Sequence, residues 1–159
     1  TGRISQGAVT GRLFFDQLDS ATFPRSGYSA LATVFASRGT LGADDTYTKW
    51  TIGGNGVFSA GDHTFNFALK AGDKFGSSPL PGYDLFQWGG FLQQSGFSTG
   101  ALMGESLAFG RMVYYNKVAR QDLLEGLYAG FSLEAGRVGG ALMPPFFTLQ
   151  TLSPQPPDR

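Results

Sequence analysis

The 159-residue chain has no cysteine, one histidine and few charges, which make up 15% of its residues. Without cysteine there is no disulfide, no thiolate metal site and no cysteine nucleophile. Twelve Lys and Arg balance twelve Asp and Glu, so no excess positive charge favours nucleic acid. The uncharged run 85–104 is too rich in Gly, Gln and Ser to be a membrane helix of about 20 apolar residues. We therefore predict no metal, no cofactor and no nucleic-acid partner.

Glycine and phenylalanine are abundant instead, with 24 and 15 residues. A glycine inside a helix costs about 1 kcal/mol relative to alanine, so this composition disfavours helices. The low charge and high aromatic content also disfavour a disordered chain. The composition therefore predicts an all-β protein.

Apolar and polar residues alternate with a period of two over several segments. In the segment 62–75, Phe65, Phe67 and Leu69 share one parity, and Thr64 and Asn66 share the other. We predict an antiparallel meander of six strands, at 11–18, 28–38, 47–58, 62–75, 102–116 and 123–137, or seven if 145–152 contains one. The connection 76–100 between the fourth and fifth strands exceeds the usual upper limit of about 12–15 residues, which indicates a functional loop.

The predicted strands are long enough to cross a bilayer, which takes about 9–11 residues. Bacterial barrels close with an even number of strands, at least about eight, so these residues cannot close one. We therefore interpret 1–159 as a partial outer-membrane barrel domain. The alternative is a soluble β-barrel that binds a ligand, in which the apolar face is the core.

One short motif is typical of a hydrolase. It is Gly96-Phe97-Ser98-Thr99-Gly100, which matches the Gly-x-Ser-x-Gly nucleophile elbow. The only histidine, His63, precedes Ser98 in the chain, whereas that fold needs histidine after the serine. We predict no catalytic residue in this chain.

A first resemblance lies near the start of the chain. The run Asp16-Gln17-Leu18-Asp19, followed by Phe23-Pro24-Arg25-Ser26-Gly27, resembles a signature of the bacterial surface antigen barrel superfamily. That superfamily contains outer-membrane assembly and two-partner-secretion proteins. We predict a turn at the barrel rim, because proline presets φ and glycine frees the return strand. The residues of this rim turn are Asp16, Asp19, Phe23, Pro24 and Gly27.

The same superfamily has one long extracellular loop that folds into the lumen and ends in Val-Arg-Gly-Phe. Gln94-Ser95-Gly96-Phe97 resembles this end, with Ser95 where the family has its arginine. Ser132-Leu133-Glu134-Ala135-Gly136 resembles the family's wall motif, with Glu134 at the acidic position. The resemblance implies a loop that lies inside the barrel near Glu134, without the arginine that usually pairs with the acid. The parity of Glu134 separately predicts that it faces the lumen.

A narrower resemblance concerns two runs. Gly89-Gly90-Phe91-Leu92-Gln93-Gln94-Ser95-Gly96-Phe97 and Leu107-Ala108-Phe109-Gly110-Arg111-Met112-Val113-Tyr114-Tyr115 are similar to the barrel of patatin-like phospholipase autotransporters. In these proteins the loop arginine is commonly absent. The resemblance implies a bacterial outer-membrane barrel that anchors and helps export a lipase. Its expected partners are outer-membrane lipid, the remainder of the barrel, a fused N-terminal lipase and a periplasmic transport-associated domain. An outer-membrane insertase or a two-partner-secretion transporter is the alternative.

Arg111 is the one charge in the middle of an otherwise apolar stretch. It shares its parity with Leu107, Phe109 and Val113. An arginine that faces lipid at mid-depth costs about 2–4 kcal/mol, so we predict that Arg111 faces the lumen together with Glu105. The alternative is that Arg111 snorkels to a membrane interface.

Overall fold

The computed structural model describes residues 3–20, 24–121, 124–139 and 141–152, with side chains at 3–20, 24–118 and 127–139. Seven of its strands form one antiparallel sheet in which chain neighbours pair, and two short strands form a separate pair. The main sheet comprises β1 (Ala8–Asp16), β2 (Gly27–Ser37), β3 (Tyr47–Ala60), β4 (His63–Lys74), β7 (Leu107–Gln121), β8 (Leu124–Val138) and β9 (Ala141–Leu152). The short pair is β5 (Phe86–Trp88) and β6 (Leu102–Gly104). Short 3₁₀ turns occur at Gly39–Leu41 and Gly82–Asp84.

This architecture confirms the predicted all-β meander, with its long connection between the fourth and fifth strands of the main sheet. Among the described residues, no helix is long and apolar enough to cross a membrane.

The prediction of a single strand over 102–116 was wrong. Leu102–Gly104 pairs with Phe86–Trp88, and the chain bends before it enters the main sheet at Leu107. The bend is held because Glu105 accepts a hydrogen bond from the backbone N–H of Leu80 and Ser106 accepts one from Gly139. Alternation alone does not reveal such a bend, because it continues on both sides of it.

The last strand is longer than the candidate segment 145–152. It runs over Ala141–Leu152 and pairs with β8. Pro144 and Pro145 lie where the pairing shifts register, between the partners of Glu134 and Gly136. Proline has no backbone N–H to donate, and an edge strand with a register shift accommodates it.

The outer face of the main sheet carries large apolar side chains that no other described part of the chain covers. Leu69 is 70% exposed and Phe67 is 49% exposed. The register carries this parity across the sheet, because Leu69 lies opposite Gly54 and Gly110. The exposed apolar residues of this face are Val9, Leu13, Phe15, Tyr28, Val34, Ile52, Phe58, Phe67, Leu69, Leu127 and Leu133.

The inner face has the opposite parity and is the face against which the long connection packs. Its charged and polar residues include Arg111, Ser132 and Glu134. The buried core lies between this face and the connection, and consists of Tyr47, Leu80, Phe86, Trp88, Leu107, Phe109 and Val138. Burying a side chain of this kind contributes about 1.5–3 kcal/mol, so the core stabilises the attachment of the connection to the sheet. A soluble sandwich would instead cover the more apolar face.

Candidate functional site

The long connection forms a short hairpin over the inner face. Phe86 pairs with Gly104 and Trp88 with Leu102, which leaves residues 89–101 as the tip segment. Three backbone hydrogen bonds, Gln93 to Gly90, Phe97 to Gln94 and Ala101 to Ser98, coil this segment into successive turns. Leu92 and Gln94 have positive φ values of 56° and 72°. Residues other than glycine rarely adopt this backbone conformation. Contacts with residues outside the tip segment must therefore hold it in place.

Glu134 binds the tip segment through Ser95. The backbone N–H of Ser95 donates to Glu134 Oε2 at 2.7 Å, and its hydroxyl lies 3.0 and 3.1 Å from the two carboxylate oxygens. The same hydroxyl accepts a hydrogen bond from the backbone N–H of Leu92 at 3.0 Å. Glu134 is only 2% exposed. The structure thus brings together two of the residues that the sequence singled out.

Arg111 lies directly opposite Glu134 in the pairing of β7 with β8. Its Nη1 donates to the backbone carbonyl of Leu92 at 3.1 Å, and its Nη2 lies 3.5 Å from Asn66 Oδ1. Arg111 therefore lies on the inner face and contacts the tip segment. The small residues Ala108 and Gly110 have the other parity, which is that of the exposed Leu69.

Two glycines of the wall provide space for side chains of the connection. A Cβ on Gly136 would lie 2.8 Å from Oε1 of Gln94, which is itself 1% exposed. A Cβ on Gly72 would lie 2.8 Å from Cε1 of Phe86. Gly136 and Gly72 thus allow the connection to approach the sheet closely. This role of the two glycines was not predicted from the sequence, although their inner parity was a usable signal.

Charged groups also hold the base of the hairpin. Lys49 Nζ forms an ion pair with Asp84 at 2.6 Å and lies 5.4 Å from the ring centroid of Phe86. Lys70 Nζ lies 4.8 Å from the ring centroid of Trp88. Cation–π contacts of this kind contribute about 0.5–2 kcal/mol. These contacts could not be predicted from the sequence, because they join residues far apart in the chain.

Glu105 does not lie beside Arg111. It lies in the bend between β6 and β7, where its carboxylate binds Lys74 Nζ at 2.8 Å and the backbone N–H of Leu80 at 2.7 Å. The hydrogen bond from Lys74, followed by that from Leu80, lowers the pKa of Glu105 below its usual value. Glu105 therefore anchors the start of the connection, and Arg111 holds its tip.

The predicted rim turn lies at the opposite end of the sheet from the connection. Asp19 accepts a hydrogen bond from the backbone N–H of Arg25 at 2.8 Å, and backbone N–H groups of Ser26 and Arg25 hold the pKa of Asp19 below its usual value. Asp16 accepts a hydrogen bond from the backbone N–H of Leu18 at 3.0 Å.

Gly27 and Pro24 also belong to this turn. Gly27 has φ 106°, and a Cβ there would lie 2.0 Å from the carbonyl of Gln17, so glycine is required. The carbonyl of Pro24 accepts a hydrogen bond from the hydroxyl of Tyr115 at 3.3 Å. Phe23 lies outside the described residues.

The structure places Ser98 of the hydrolase-like motif and His63 in different elements. Ser98 is exposed in the tip segment, whereas His63 begins β4 and its Nδ1 lies 2.7 Å from the hydroxyl of Tyr114. The remaining motif residues, Gly96, Phe97, Thr99 and Gly100, also belong to the tip segment. Across the described part of the chain, no group of three or more His, Cys, Asp or Glu side chains could hold a metal ion.

Strands of 9–15 residues, an exposed apolar face and a long connection packed on the more polar face together define the wall of an outer-membrane β-barrel. The model of the Omp85 superfamily domain matches residues 5–140, and the chain belongs to this superfamily. No curated protein matches the chain. Membership implies a bacterial outer-membrane barrel with a role in protein secretion or membrane insertion.

Proposed function

We propose that this barrel segment anchors an N-terminal patatin-like phospholipase in the outer membrane and helps to export it. In this proposal the chain itself is not an enzyme, and ester hydrolysis takes place in the fused lipase. Its other partners are outer-membrane lipid, the remaining strands of the barrel and a periplasmic transport-associated domain.

The observation that carries the proposal is how the tip segment binds the wall. In the run that resembles phospholipase autotransporters, Ser95 binds Glu134 where an arginine would be expected in other members. A serine makes a short, neutral contact, so the segment lies close to β8. The substitution and the run around it are the features that favour the lipase over other cargoes.

The two faces of the sheet account for the anchoring role. The exposed apolar residues of the outer face can lie in hydrocarbon, where burial is favourable at about 25 cal/mol per Å². The connection occupies the inner face, so it narrows the lumen beside β7 and β8. Such a wall holds a fused domain at the membrane without any catalytic group of its own.

Esterase assays on the parent protein test the proposal. We expect Ser98→Ala to leave the activity unchanged, because Ser98 is exposed in the tip segment and the one histidine of the chain, His63, contacts Tyr114. Replacing the serine of a Gly-x-Ser-x-Gly motif upstream of this domain should abolish the activity. Loss of activity in Ser98→Ala, with a folded barrel, would place the nucleophile in this chain and refute the proposal.

Membership of the Omp85 superfamily also supports a second candidate, a barrel that inserts or secretes other proteins. Depletion of the parent protein separates the two functions. A lipase carrier predicts that other outer-membrane proteins still fold and insert after depletion. An insertase predicts that they accumulate unfolded, and a two-partner transporter predicts the loss of one secreted protein.

A further inference from the structure

We propose that Arg111 is the positioning residue of the tip segment. It positions the segment by supplying, from the wall of the barrel, the positive charge that the buried Glu134 requires. The inference rests on the geometry of the wall and the connection, and it holds whether or not the exported cargo is a lipase.

Glu134 lies in an environment that favours a nearby positive charge. Its carboxylate is buried and receives hydrogen bonds from Ser95, a neutral residue. The ion pairs of Lys49 with Asp84 and of Lys74 with Glu105 do not include Glu134. A buried carboxylate without a nearby positive charge is strongly destabilising. Glu134 therefore needs a cation close by.

Arg111 is in the right place to be that cation. It lies directly opposite Glu134 in the β7–β8 pairing, where Cβ atoms are about 4.5–5.5 Å apart. Both side chains lie on the inner face, away from lipid. Placing the arginine on the wall has a structural advantage, because the sheet holds it in register with Glu134.

The two residues hold different atoms of the tip segment. Arg111 binds the carbonyl of Leu92, and Glu134 binds the N–H and hydroxyl of Ser95. These contacts enclose Leu92 and Gln94, the two residues with positive φ. Arg111 and Glu134 therefore hold the part of the connection that is least stable by itself.

A guanidinium suits this role better than an ammonium. Its planar group presents several N–H donors in fixed directions, so one side chain can contact both Leu92 and Asn66. A lysine would keep the charge near Glu134 but has a single nitrogen. This difference allows the charge and the hydrogen bonds of Arg111 to be tested separately.

The test is hydrogen–deuterium exchange of the tip segment in the purified parent protein, measured on a peptide that contains the Ser95 amide. We expect Arg111→Ser to speed exchange at least about tenfold, because it leaves the buried Glu134 without a cation opposite it. Arg12→Ser is the matched control, since Arg12 is an inner-face arginine on β1, opposite Thr33. It should change the exchange rate less than about twofold.

A double variant separates charge compensation from simple packing. If Arg111 compensates Glu134, neutralising both residues in Arg111→Ser/Glu134→Gln should give slower exchange than Arg111→Ser alone, by about threefold or more. Arg111→Lys should lie between the wild type and Arg111→Ser. A double variant that exchanges as fast as Arg111→Ser, or faster, would refute the proposal, as would an Arg111→Ser variant that behaves like Arg12→Ser.

A third variant covers the case in which Arg111→Ser fails to fold. Ser95→Arg/Arg111→Ser moves the arginine from the wall to the tip segment while the charge near Glu134 stays the same. We expect this variant to recover heat-modifiable mobility on gels and slow exchange of the tip segment. If it is as unfolded as Arg111→Ser, the charge near Glu134 is not what positions the segment, and the proposal fails.

Discussion

The outer face and the inner face of the main sheet differ in which residues are covered. The outer face has the larger apolar side chains, and residues such as Leu69 and Phe67 are left exposed. The inner face has Glu134 and Ser132, and both are buried beneath or beside the long connection. Hydrophobicity alone does not determine which side of a sheet is packed by protein, because lipid can solvate the apolar side.

Coverage also differs along the inner face. Phe109 and Val138, on β7 and β8, are buried in the core under the connection. Phe14 and Leu31, which face each other on β1 and β2, are exposed on the same face. The connection therefore packs against one region of the inner face, and the rest remains available to solvent or to other parts of the barrel.

The largest effect should come from placing a charge on the outer face. Leu69→Arg should destabilise the folded parent protein in lipid vesicles by about 2–4 kcal/mol, because an arginine there faces hydrocarbon. Leu31→Arg is the matched control on the inner face, where Leu31 is 42% exposed. Urea unfolding in vesicles measures both variants. Equal losses would show that the two faces do not differ in their surroundings.

A smaller effect should follow from filling the space in which the connection is seated. Gly136→Ala should lower the free energy of unfolding by about 1–3 kcal/mol, because a methyl group would meet Gln94 and the carbonyl of Ala108. Gly56→Ala is the outer-face control, since nothing lies within 4 Å of a Cβ there. Limited proteolysis of the tip segment reports whether it leaves the wall. A Gly136→Ala variant as stable and as resistant as Gly56→Ala would argue against close packing at this point.

The smallest effect should be the response of the bend to acid. The pKa of Glu105 is lowered in the folded protein, so its contribution to stability is present above its unfolded pKa, near 4.5, and is lost as pH falls through the folded value. Exchange of the Leu80 amide should therefore increase below about pH 4. Glu105→Gln should remove this dependence, because glutamine does not titrate. A wild-type amide that stays protected at low pH would contradict the assignment of Glu105 as the anchor.

Much of the fold could be predicted from alternation, because the parity of Phe65, Phe67 and Leu69 is a local property of one strand. The inner position of Arg111 followed from the cost of a charge in lipid. The bend at Glu105 could not be predicted, since its cause is a contact with Leu80 that alternation does not report. The site was only partly predictable. Resemblance pointed to the loop motif around Ser95 and to the wall motif around Glu134, but not to Gly72 or Phe86.

The sequence by itself determined that the chain forms long antiparallel strands with one apolar and one polar side, because the side-chain period of a strand is two. Only the tertiary structure decided which polar residues meet. Arg111 and Glu134 are opposed because of the register of β7 with β8, and Ser95 reaches Glu134 because the connection folds back over that register. These contacts span many residues of chain, so they depend on how the strands pair and not on any local pattern.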